Sequence, residues 1–128
     1  MTVPELEVSM MLVASAAAFL LSGAYYTVVP RPATAGEDAN AGAMSPWLMV
    51  AELVRVLVLV AVVAVLMDLS GVSGWGEGAI FGFVLWVGFP LVLWVGAILH
   101  ERTPWRMAAL HGGDWLLKLV VIAVILGL

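Results

Sequence analysis

Long apolar runs separated by short polar breaks set the pattern of this chain. The first, Val8 to Val29, carries no charge and is long enough to cross a hydrocarbon layer of about 30 Å at about 1.5 Å per helical residue. A second run extends from Trp47 to Met67, with Pro46 just before it, where proline suits a helix start. A third covers Gly78 to Leu99 and a fourth covers Met107 to Leu128. The pattern predicts an all-α fold: an integral membrane bundle of four transmembrane helices over residues 8–29, 47–67, 78–99 and 107–128, with antiparallel neighbours.

The breaks differ in character. Residues 30–46, PRPATAGEDANAGAMSP, form the one real linker, irregular and on the surface. Asp68 to Glu77, DLSGVSGWGE, reads as a tight Gly/Ser turn, and His100 to Arg106, HERTPWR, is the third connection. Ala33-Thr34-Ala35 resembles a signal-peptide cleavage site, but Glu5 and Glu7 with no Lys or Arg precede an apolar run too long for a signal sequence. The first helix is therefore expected to be retained, and residues 1–128 to form a single transmembrane domain.

Finer features mark packing faces. Ser15, Ala18, Ser22 and Tyr25 recur at i, i+3, i+7 and i+10, a small and polar stripe suited to close helix contact. Gly78 and Gly82 form a G-x-x-x-G. Pro90 should kink the third helix and free a carbonyl. Trp47, Trp75 and Trp105 fall at helix ends, where interfacial aromatics collect, while Trp86, Trp94 and Trp115 lie within spans.

Composition agrees with a membrane chain. Hydrophobic residues make up 64% and charged residues 11%, against about a quarter charged in soluble domains. The net charge of −4 offers nothing for nucleic acid, and the absence of cysteine excludes disulfides and a thiol nucleophile. The Arg, Ala, Val and Gly usage suits a GC-rich bacterial genome, and a bacterial inner membrane is the expected location. The linker holds Arg31 and the third connection holds Arg102 and Arg106, whereas the N-terminus and the Gly/Ser turn hold neither Lys nor Arg. The positive-inside rule then places the linker and HERTPWR in the cytoplasm and both termini outside.

Against this apolar background the charges stand out. His111, Asp114 and Lys118 lie at i, i+3 and i+7 and share one helical face. Glu52 and Arg55 share a face of the second helix, and Tyr25 and Tyr26 end the first. All seven enter from the cytoplasmic side, and if their faces converge they form one intramembrane polar cluster open toward the cytoplasm. Lys118 is near mid-bilayer, where a lysine costs roughly 3 kcal/mol on insertion scales. Glu52, Arg55, Asp114 and Lys118 sum to zero charge.

Several residues also resemble a known family. Gly-Ala-Tyr-Tyr at 23–26, Trp-Val-Gly-Phe-Pro at 86–90, Glu-Arg-Thr-Pro-Trp-Arg at 101–106, a Gly-containing start to the last helix and a closing Ala-Val-Ile-Leu-Gly-Leu at 123–128 are similar to the bacterial membrane-protein family catalogued as domain of unknown function 1761. The resemblance covers nearly the whole chain, and the loop before the last helix is its most specific part. It implies a small four-helix membrane protein and no established activity. Members of that family are expected to carry uncharged residues where His111, Asp114 and Lys118 stand here, so the resemblance assigns these charges no role.

Three function classes follow. The first is a structural or accessory component of an oligomer or larger membrane complex, with buried ion pairs between helices two and four. The second is a small proton-coupled or cation transporter or channel using Glu52 and Asp114 in a cytoplasm-facing polar pocket. The third, a membrane-embedded enzyme, has least support: no catalytic residue set is spaced credibly. His111-x-x-Asp114 supplies two metal ligands at most, and four helices are too few to enclose a retinal-like cofactor on Lys118. No cofactor or metal is expected. The expected partners are the lipid bilayer and further copies or a host complex, with a small cation or proton in the second reading.

Overall fold

The computed structural model describes residues 8–29 and 45–128. Four helices there are long and apolar enough to cross a membrane: α1 (Val8–Val28), α2 (Pro46–Leu69), α3 (Trp75–His100) and α4 (Trp105–Gly127). Most of the linker, residues 30–44, lies outside the described residues. Its end is visible: the Ser45 hydroxyl accepts the Leu48 N–H at 3.3 Å and Pro46 opens α2, a serine cap followed by a residue with no N–H to satisfy.

Helices α2 to α4 run past the apolar limits. Asp68 and Leu69 belong to α2, Trp75 to Glu77 to α3, and Trp105 and Arg106 to α4. The apolar run marks the hydrocarbon layer, and a helix can continue through the polar headgroup zone on either side. The Gly/Ser turn shrinks accordingly to residues 70–74, with Gly71 and Gly74 at φ 68° and 85°, the left-handed region that glycine enters freely. Glu77 closes this turn by accepting the Ser73 N–H at 2.9 Å.

In α3, Val87–Leu91 is a π-helical turn containing Pro90. Proline has no N–H and its ring crowds the preceding turn, and a widened turn absorbs that conflict.

Helices α1 and α4 form the central pair, with α2 against α1 and α3 along α4. The α3–α4 seam is set by glycine: a Cβ on Gly82 would lie 2.5 Å from the Leu119 carbonyl oxygen, and one on Gly78 would collide with the Ala123 carbonyl. The G-x-x-x-G is thus a backbone-to-backbone contact. Ala14 and Ala18 of α1, Val56, Val60, Val63 and Met67 of α2, and Leu119, Ile122 and Ala123 of α4 make one core. Between α2 and α4 a cleft of about 390 Å³ stays open, with Glu52, Arg55 and Lys118 at its charged end and Val54, Val58 and Trp115 on its walls.

Candidate functional site

The first half of α4 carries the chemistry. His111, Asp114 and Lys118 lie about 9, 14 and 20 Å from the helix start at Trp105, by helical rise. The last turns of α1 come down beside them, so residues some ninety positions apart in sequence meet.

Asp114 is the centre. Its Oδ1 accepts the Ser22 hydroxyl at 2.7 Å. Its Oδ2 accepts the Tyr26 hydroxyl at 3.3 Å and lies 3.0 Å from Lys118 Nζ. The Tyr26 hydroxyl also lies 2.7 Å from His111 Nδ1. Lys118 continues the chain: Nζ is 3.6 Å from Glu52 Oε1 of α2 and 5.1 Å from the centre of the Trp115 ring, a cation–π distance. Glu52 Oε2 accepts from Arg55 Nη1 at 2.6 Å. A continuous run therefore links His111, Tyr26, Asp114, Lys118, Glu52 and Arg55 across three helices.

Burial is deepest at Asp114 and Lys118 and falls from there toward the cleft. The Asp114 and Lys118 side chains are 4% and 6% exposed, Glu52 is 25% exposed and Arg55 is 64% exposed at the cleft. An aspartate–lysine pair at this depth stands in low dielectric, where each charge needs the other. Removing one partner of such a pair costs about 3–5 kcal/mol, although replacing both can be neutral.

The surrounding aromatics hold the α4 backbone and the imidazole. Tyr25 donates to the Leu110 carbonyl at 2.7 Å, and its hydroxyl occupies the space that a Cβ on Gly113 would need. Trp86 Nε1 donates to the Gly112 carbonyl at 2.8 Å. Trp94 stacks on His111 with centroids 5.2 Å apart and planes 15° from parallel.

All seven residues singled out from sequence lie in or beside this run. Arg55 pairs with Glu52 of its own helix, and the cation shared between the two acids is Lys118. Ser22 was legible only as a packing position, at i−3 from Tyr25 on the same face. The contacts of Trp86 and Trp94 have no sequence signal beyond an aromatic inside a span. Among the described residues, no three His, Cys, Asp or Glu side chains converge to hold a metal ion.

A family model described as a protein of unknown function (DUF1761) matches residues 9–127. No curated protein and no solved structure matches the chain.

Proposed function

The chain belongs to the DUF1761 family, whose function is unknown, and we propose that it is a structural or accessory membrane protein whose buried charges lock three helices into one unit. One observation carries this reading: the Asp114 carboxylate is held by Ser22 and Tyr26 from α1 and by Lys118 of its own helix, which reaches on to Glu52 of α2. A carboxylate that carries ions has to exchange its partners with solvent during a cycle. Asp114 is 3% exposed and its charge is met by a lysine one turn away. The same arrangement suits assembly in a larger complex, since α2 presents much of its surface outward.

A second reading rests on the continuity of the polar run. It links a histidine about 9 Å inside α4 to a partly exposed glutamate at an open cleft, as a proton or cation path would require. In the topology we favour, the starts of α2 and α4 face the cytoplasm of a bacterium and both termini lie outside, following Arg31, Arg102 and Arg106.

The discriminating experiment is to express Lys118→Met and Asp114→Asn in membranes. We would follow both the yield of folded protein and proton flux in reconstituted vesicles. The structural reading predicts that Lys118→Met lowers the folded yield several-fold. Full yield with altered flux would overturn it.

A further inference from the structure

Among the described residues, Arg55 is the one charge of the polar run that stays mostly exposed. It lies about 14 Å from the start of α2 with its side chain 64% exposed. A guanidinium has five N–H donors, and lipid tails can satisfy none of them. The cleft beside it has apolar walls that continue along α2 through Val54, Val58 and Val62, a ridge at i, i+4 and i+8 suited to helix packing. These valines are 51%, 58% and 50% exposed. The cleft thus combines a helix-sized apolar ridge with a charged pair at one end.

We propose that this cleft is a two-fold seam, and that its occupant is α2 of a second copy of this chain. The proposal deepens the assembly reading above and rests on it. Charge complementarity selects this occupant. Glu52 and Arg55 form a neutral pair three residues apart. Around a two-fold axis along the membrane normal, Glu52 of one copy faces Arg55 of the other, and the reverse contact follows by symmetry. The height difference is about 4.5 Å, and long helical side chains lean toward the helix N-terminus, so Arg55 can reach across while keeping its own Glu52. The result is a ring of four charges closed by two copies, continuous with Lys118 in each. A phospholipid phosphate fits less well, because Glu52 stands beside the guanidinium and repels an anion.

The chain contains no cysteine, so single-cysteine variants report cleanly. Val54→Cys and Val58→Cys would be oxidised in native membranes, with Leu93→Cys as control, a residue 69% exposed on α3. The proposal expects covalent dimers of this chain at Val54 and Val58 and none at Leu93. Mixing carries the symmetry test. Glu52→Gln copies alone and Arg55→Gln copies alone lose both intersubunit pairs, whereas one of each retains a pair. In a one-to-one mixture random pairing already makes mixed dimers twice as abundant as either homodimer, so with Val58→Cys in both copies the excess should stand clearly above twofold. Dimers formed equally at Leu93, or no preference for mixed dimers, would overturn the seam. Cross-linking of Val54 and Val58 to a different protein would overturn the second copy as occupant yet keep the accessory reading. A monomer with no cross-linked protein, retaining phospholipid in native mass spectrometry, would overturn both.

Discussion

Lys118→Met tests the energetic logic of the buried charges most sharply, because the structure predicts an asymmetry. Methionine keeps an unbranched apolar stem of similar length and removes the ammonium. Asp114 then retains only the hydroxyls of Ser22 and Tyr26 at 2.7 and 3.3 Å. A carboxylate left 4% exposed without its cation should lose about 3–5 kcal/mol. The converse change, Asp114→Asn, is milder. Lys118 keeps Glu52 at 3.6 Å and the Trp115 ring at 5.1 Å, and the amide still accepts from Ser22, so about 1–3 kcal/mol is expected. In the double variant the orphaned charge no longer exists, and the combined loss should fall short of the sum by about 2 kcal/mol. Equilibrium unfolding of the reconstituted protein in mixed micelles, read by tryptophan fluorescence, supplies all three values. A loss below about 1 kcal/mol for Lys118→Met, or a larger loss for Asp114→Asn, would mean that Lys118 does not hold the buried carboxylate.

Other contacts lead to further expectations. Gly82→Ala places a methyl against the Leu119 backbone, which cannot give way as a side chain can, and should cost about 1–3 kcal/mol; Gly96→Ala, with nothing within 4 Å, should be neutral, and a thermal-shift comparison in detergent decides. Ser22→Ala removes one donor from Asp114 and should cost about 1–2 kcal/mol in the same unfolding assay. Gly113→Ala displaces the Tyr25 hydroxyl from the Leu110 carbonyl; if that clash is the cause, Tyr25→Phe in the same chain should recover part of the lost stability.

Much of this fold was legible because a bilayer imposes length. Four apolar runs near twenty residues admit few architectures, and the family resemblance agreed with them. Charges inside such runs announce themselves, so the seven polar residues could be named in advance. Spacing allows the pairs within a helix, Glu52 with Arg55 at i, i+3 and Asp114 with Lys118 at i, i+4, but pairing across helices could not be named. Helix α2 is apolar almost all round, so its hydrophobic pattern does not encode which face meets the bundle. Glu52 and Arg55 share a face by spacing alone, but which acid Lys118 serves depends on how α2 is rotated against α1 and α4. Ser22 looked like one more small packing residue because a serine stripe serves either purpose. Helix ends were placed short at Met67, Gly78 and Met107 because hydropathy reports the hydrocarbon boundary and helical hydrogen bonding does not stop there. The π-turn at Val87–Leu91 was foreseeable as a disturbance at Pro90, though its form was not, since a kink, a bulge or a wide turn each relieve the same clash.

In the reading we propose, the charges at the heart of the bundle hold helices together and do not conduct. The decisive measurement is proton entry into sealed vesicles that contain the protein, under an imposed pH gradient and membrane potential, recorded with an internal pH-sensitive dye. The expected rate equals that of protein-free vesicles. Entry above that rate, abolished by Glu52→Gln in a variant that remains folded, would contradict it and make the polar run from His111 to Glu52 a path.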